Sequence, residues 1–155
     1  MSGLGASNTR TMLETRAQQY QEWMCEEGYR ARDPVWDEAA DTWDVQVKYE
    51  GATLVVVFDV DDTGFVRILM PNFWSIEPAA LETALAALDL ANKKCKCAKV
   101  HLNPRRDDTT ASVEFLDQGD QMRPATLLRY LAMVVNVAKF FASAMQEQAE
   151  SMQPA

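Results

Sequence analysis

The period of the apolar residues changes along the first half of the chain, and each change predicts a different element. Over residues 13–24 the apolar residues recur at helical spacing, and Gly28 can adopt the left-handed conformation that ends a helix. Over residues 43–49 apolar and polar residues alternate, which predicts a strand. The run 54–58 is wholly apolar, so we predict a central strand that is buried on both faces.

The second half of the chain repeats this succession of strand and helix. Residues 65–70 form a predicted third strand, and residues 81–91 carry one apolar stripe at helical spacing. Two more strands are predicted at 99–102 and 111–116, followed by a helix that reaches roughly Gln148. The order α-β-β-β-α-β-β-α predicts an α+β fold in which three helices pack with a five-stranded antiparallel sheet.

Length and charge limit the classes of protein to which the chain can belong. Its 155 residues predict a single domain over 9–149, a disordered segment at 1–8 and a loose tail at 150–155. The formal net charge is −8, which disfavours nucleic acid and anionic membranes as partners. The first residues contain no apolar run of the kind found in secretion signals, so we expect a cytoplasmic protein.

The acidic segment that follows the second strand has three interpretations. Asp59 and Asp61 stand where a haloacid-dehalogenase-type phosphatase has its nucleophile and its general acid. The same segment resembles the start of a calcium loop, but Met70 occupies the position that requires a bidentate glutamate. Because Gly64 leads directly into the next strand, we favour a hairpin turn with no catalytic role.

The sequence offers no other group of residues that would support catalysis or hold a cofactor. Cys95 and Cys97 are one residue closer together than the usual zinc spacing, and a fourth ligand beside His101 is missing. His101 is the single histidine and falls on the polar side of a predicted strand. We therefore predict a protein that is not an enzyme, without catalytic residues, bound metal or cofactor.

Apolar residues that a small monomer cannot easily cover indicate binding to another protein. The last helix has two adjacent apolar stripes, which either another helix or a partner could cover. We also expect Val55 or Val57 to lie near solvent, because three helices cannot cover both faces of the sheet. Trp36, Phe73 and Trp74 are predicted to lie in loops, where they either complete the core or contact a partner, and a homodimer is expected.

Short matches along the chain resemble one family. They are "EEGY" (26–29), "KYEGATLVVVFDVDDTGFVRILMP" (48–71), "LANKKCKCAKVHL" (90–102) and "ASVEFL" (111–116), within an element order that extends over roughly 10–146. The pattern resembles the YbjN-like family, proposed bacterial sensory transduction regulators, which share the fold of class I type III secretion chaperones of the Tir-chaperone type. This resemblance implies a bacterial cytosolic protein that binds a protein or peptide partner as a chaperone-like or regulatory adaptor.

Overall fold

The computed structural model describes residues 3–119 and 121–151, without the side chains of residues 3, 4 and 6. The described residues form three α-helices, one 3₁₀ turn and seven strands. These elements are α1 (Gly3–Glu26), β1 (Arg30–Ala31), β2 (Val35–Asp37), β3 (Thr42–Tyr49), β4 (Ala52–Asp59), β5 (Phe65–Ser75), the 3₁₀ turn (Pro78–Ala80), α2 (Leu81–Lys94), β6 (Lys99–Leu102), β7 (Asp108–Leu116) and α3 (Pro124–Ser151).

The strands form one antiparallel sheet in the order β1-β3-β4-β5-β7-β6, and β2 also pairs with β3. The predicted α+β class, with antiparallel strands and three helices, is confirmed. The described part of the chain has two strands more than predicted, because the segment before β3 is not a loop. Arg30 lies opposite Lys48 and Val35 lies opposite Asp44. Pro34, which has no backbone N–H, separates the two short strands.

The chain divides into two compact units, one formed by residues up to Ile68 with Glu114–Leu131. In this unit α1 packs on β3 and β4, and the Tyr20 and Phe58 rings meet edge to face at 5.0 Å. Alternate residues of the strands and one stripe of α1 are buried between these elements. The buried residues are Leu13, Ala17, Tyr20, Met24, Val45, Val47, Leu54, Val56 and Phe58.

A hydrogen-bond network centred on the buried Tyr20 and Asp117 holds α1 to the ends of β5 and β7 in the same unit. The Tyr20 hydroxyl donates to the Asp117 carboxylate at 2.5 Å, and the Gly119 N–H donates to its other oxygen at 2.9 Å. Arg16 donates to the Thr63 carbonyl at 2.8 Å and to the Asp117 carbonyl at 3.0 Å. Burial of the phenol, together with the hydrogen bond to Asp117, raises the pKa of Tyr20 far above its ordinary value.

The second unit contains Leu69–Val113 and the residues from Ala132 onward, and in it a side chain of α2 pairs with the edge strand β6. The Asn92 amide donates to the Val100 carbonyl at 2.9 Å and accepts from the Val100 N–H at 2.8 Å. This side chain therefore occupies a pair of backbone groups that an edge strand would otherwise leave open to another chain.

Strand β5 is longer than the sequence indicates. Pro71 was expected to end it, but the strand continues to Ser75, so Phe73 and Trp74 lie in a strand and not in a loop. Asn72 adopts a left-handed backbone with φ of 51°, a conformation that asparagine tolerates better than most residues.

Strand β4 has the predicted central position, but it is not buried equally on both faces. Leu54, Val56 and Phe58 are completely buried, whereas Val55 and Val57 are only half-buried. The apolar run therefore packs against the core with one face only, and the predicted burial of the second face is wrong. The expectation that Val55 or Val57 lies near solvent is the one that agrees with the structure.

The first and the last helix of the chain, α1 and α3, extend beyond their predicted ends. Helix α1 begins at Gly3, within the segment predicted to be disordered. Helix α3 continues to Ser151, within the predicted tail, and residues 152–155 of that tail lie outside the described residues. The first predicted stripe of α3, from Leu127 to Met145, is buried throughout, and the second is buried in part.

By length and composition α3 could also cross a membrane, but 39% of its most apolar window is buried within the fold. Core helices of soluble proteins share these properties, so this is weak support for a membrane span.

Candidate functional site

The acidic segment forms the turn of the β4–β5 hairpin. The Asp59 carboxylate accepts a hydrogen bond from the Asp61 N–H at 2.8 Å, and the Phe65 N–H donates to the Asp62 carbonyl at 3.1 Å. These bonds satisfy the backbone of the turn, which is the common role of aspartate at such positions. Across residues 3–119 and 121–151, no three His, Cys, Asp or Glu side chains come together as a metal site.

The cysteines and the histidine are spread over separate surfaces. Cys25 and Cys97 are exposed, Cys95 is half-buried, and none of the three forms a disulfide. His101 is exposed on β6, opposite Thr110 of β7.

The three aromatic residues predicted as partner contacts are half-buried and pack against the fold. Trp36 lies in β2, with the Arg10 guanidinium 4.0 Å above its ring and with Trp43 at 5.5 Å. In the second unit, Phe73 and Trp74 each meet Phe141 edge to face, at 5.8 Å and 6.2 Å. All three rings therefore have contacts within the fold, and their role as partner contacts stays a prediction.

A different surface of the first unit combines apolar side chains with solvent exposure. It is the face of the sheet that points away from α1, and we call it the open face. Three of its apolar residues are well exposed, namely Val35 (64%), Leu116 (57%) and Phe65 (42%), and Val55 and Val57 lie beside them half-buried. Apolar side chains gathered on one open face are typical of an interaction surface.

Polar residues complete the open face and are ordered by charge along the strands. Arg30, Arg32 and Lys48 lie at one end, where Arg30 is directly opposite Lys48 and the Arg32 N–H donates to the Gln46 carbonyl at 2.9 Å. At the other end Asp37 pairs with Thr42, which in turn pairs with Asp59. The valines occupy the rows between these two ends, where Val55 lies opposite Gln46 and Val57 lies opposite Asp44.

The acidic end of the open face continues into a shallow depression of about 190 Å³. Its lining consists of Val57, Asp59, Asp62, Phe65, Arg67 and Glu114. Arg67 and Glu114 form an exposed ion pair at 2.9 Å. Since this pair neutralises itself, Asp59 and Asp62 give the depression its negative charge.

Asp44 lies in the row next to the acidic end, opposite Val35 and Val57, and its carboxylate is electrostatically unfavourable there. Partial burial raises the pKa of the Asp44 carboxyl, and the nearby Asp37 carboxylate raises it further, although the hydrogen bond from the Thr42 hydroxyl at 2.8 Å acts in the opposite direction. An ionised Asp44 is therefore less stable in the folded chain than in water, and a cationic group above it would be favourable.

No protein-family model matches the chain, and no curated protein matches it. Two solved structures share its architecture. An uncharacterized protein from Methanothermobacter thermautotrophicus superposes with a TM-score of 0.66 at 16% identity, over 84% of this chain and 96% of that one. YbjN from E. coli, a proposed transcription regulator, superposes with a TM-score of 0.56 at 11% identity, over 84% of this chain and 92% of that one.

The fold is that of YbjN. The resemblance in the order of elements is thus confirmed at the level of the fold, which is what identities this low can establish. Neither YbjN nor the archaeal protein is described as an enzyme. The open face, with its exposed apolar side chains between two charged ends, has the properties of a binding surface.

Proposed function

We propose that this protein is a non-catalytic protein-binding module, a chaperone-like or regulatory adaptor of bacterial signalling or stress response, and that it acts in the cytoplasm on a protein or peptide partner. The observation that carries the proposal is the open face, where exposed apolar residues lie between a cationic and an anionic end. The description of YbjN as a proposed transcription regulator is compatible with such a role.

The phosphatase alternative receives no support from the geometry of the acidic turn. Asp59 is engaged by the backbone N–H of Asp61, and a hairpin follows where a dehalogenase-type enzyme has a crossover to a parallel strand. We therefore assign the aspartates to the turn and to the charge of the open face.

Affinity capture with a matched pair of variants tests the proposal. Val57→Lys places a charge in the centre of the open face, whereas Leu90→Lys places the same charge on an exposed leucine of α2. We expect a specific protein to be retained from an extract of the source cells by the parent chain and by Leu90→Lys, and to be lost with Val57→Lys. Equal retention by both variants, or no retention above a tag-only control, would contradict the proposal.

A further inference from the structure

The connection between α2 and β6, which we call the thiol loop (95–98), carries two cysteines within three residues. Cys95 follows the last residue of α2 and is half-buried, and Cys97 is exposed. Two residues of fully extended chain span about 6.6–7.2 Å, and a bend at 95–97 shortens the distance between the two Cα atoms below that. A disulfide requires a Cα separation of roughly 4.4–6.8 Å. The two thiols are therefore within the range over which an internal bridge can close.

The backbone of the thiol loop holds Cys97 in a conformation that favours glycine. Its φ is 65°, and the Ala98 N–H donates to the Lys96 carbonyl at 2.7 Å across it. A hydrogen bond of this kind around a central residue with positive φ forms a γ-turn of the rare and strained type. Strained residues are concentrated at functional sites. Because glycine would avoid this strain, the presence of a thiol at the centre of the turn points to the chemistry of the thiol.

Cationic side chains are concentrated around the thiol loop, although the protein as a whole is acidic. Residues 90–106 contain four lysines and two arginines and no aspartate or glutamate, whereas the net charge of the chain is −8. The Lys99 ammonium donates to the Cys95 carbonyl at 3.1 Å and to the Asn92 carbonyl at 2.7 Å. Lys96 is exposed between the two cysteines. Positive charge at this density attracts anionic reagents toward the thiols.

We propose that Cys95 and Cys97 form a reversible dithiol–disulfide site whose oxidant is an anionic low-molecular-weight disulfide of the glutathione class. The more exposed thiolate, that of Cys97, attacks one sulfur of glutathione disulfide, and the S–S bond breaks to release one glutathione thiolate. The Cys95 thiolate then attacks the Cys97 sulfur of this mixed disulfide and releases the second glutathione thiolate. Two electrons pass from the protein thiols to glutathione disulfide, and their two protons pass to the glutathione thiolates.

The short ring makes such a bridge easy to reduce. A disulfide stabilises a fold chiefly by closing a long loop, and this one would close around a single residue. Exposed disulfides are also those that thiols reduce readily, and in the cytoplasm, where we propose that this protein acts, disulfides are usually transient or redox-sensing. The thiol loop belongs to the second unit and the open face to the first, so the redox site and the partner surface involve different residues.

Mass spectrometry of the reduced, purified chain after incubation with millimolar glutathione disulfide tests the site. Cleavage on the amino side of aspartate releases the fragment 89–106, which contains Cys95 and Cys97 but not Cys25. We expect this fragment to be two hydrogens lighter, to carry no glutathione, and to regain its full mass in excess reduced glutathione. A fragment that retains one or two glutathionyl groups, that joins two chains, or that excess glutathione does not reduce would overturn the inference.

Two sets of variants separate the bridge from ordinary thiol reactivity. Cys95→Ser and Cys97→Ser should each keep one glutathionyl group on fragment 89–106, because no second thiol remains to displace it. Lys94→Gln with Lys96→Gln should slow bridge formation by glutathione disulfide up to roughly tenfold and leave the rate with uncharged hydroxyethyl disulfide unchanged. Loss of the glutathionyl group from either serine variant, or an equal effect of the lysine changes on both reagents, would contradict the proposed site.

Discussion

Tyr20→Phe removes a single buried hydrogen bond and leaves the surrounding packing in place. The Tyr20 side chain is 1% exposed, and its ring is held by edge-to-face contact with Phe58 and by Trp23 at 5.4 Å. Phenylalanine keeps both ring contacts. The change therefore isolates the bond from the hydroxyl to Asp117, which is itself 2% exposed.

We expect the variant to lose about 1.5–3 kcal/mol of the free energy of unfolding, the usual contribution of a hydrogen bond to a charged group. One oxygen of the Asp117 carboxylate loses its donor in a buried setting, and only the Gly119 N–H remains on the other oxygen. For a chain of this length the loss corresponds to a decrease of about 3–12 °C in melting temperature.

Urea denaturation at one low protein concentration measures the loss without a contribution from self-association. Tyr130→Phe is the matched control, because this half-buried tyrosine keeps its stacking on Phe115 at 4.1 Å when only the hydroxyl is removed. The control should change stability by less than about 0.5 kcal/mol. Equal stability of both variants would refute the assignment of the Tyr20–Asp117 bond as the link between α1 and the sheet.

Three further perturbations have defined outcomes. Asn92→Ala should cost about 1–3 kcal/mol and accelerate amide exchange at Val100, because both hydrogen bonds to that edge residue are lost; unchanged exchange would contradict this. Asp44→Asn should be more stable than the parent at neutral pH, because the raised pKa of Asp44 means that its ionised form destabilises the folded state. This gain in stability should shrink as the pH falls through the raised pKa and below 3.8, where the parent carboxyl is protonated in both states. A difference in urea melts that stays constant with pH would argue against it. Asp59→Asn with Asp61→Asn should leave magnesium-dependent hydrolysis of p-nitrophenyl phosphate at the background level of the parent, and parent turnover that disappears in the variant would establish catalysis.

The spacing of apolar residues was sufficient to predict the longer helices and strands of the fold. The alternation over 43–49 and the stripe from Leu127 to Met145 each reflect burial of one face against the core, and burial is the property that apolar spacing records. The segment around Trp36 is predicted to be a loop, since strands of two and three residues are too short to show a period. Their pairing with β3 depends on tertiary contacts that no local pattern contains.

The open face could be predicted only in part. The apolar run of β4 and the limited number of helices indicated that Val55 or Val57 would be near solvent, and they are half-buried. The order of charges along the open face could not be predicted from the sequence, because it depends on the register that places Arg30 opposite Lys48 and Asp37 opposite Thr42. The triplet Arg30-Ala31-Arg32 alternates charge with an apolar residue, and this is the one local signal of a strand at that edge.

Hydroxyl-radical footprinting read by mass spectrometry tests most directly whether the open face is a binding surface. The reactivity of Phe65 and Leu116 is compared between the dilute purified protein and the protein in source-cell extract, with Leu85 (41% exposed) and Leu90 (40% exposed) on α2 as internal references. We predict that Phe65 and Leu116 are reactive in the dilute protein and protected in the extract, while Leu85 and Leu90 remain equally reactive in both. Phe65 and Leu116 that stay as reactive in the extract as the two references would contradict the account.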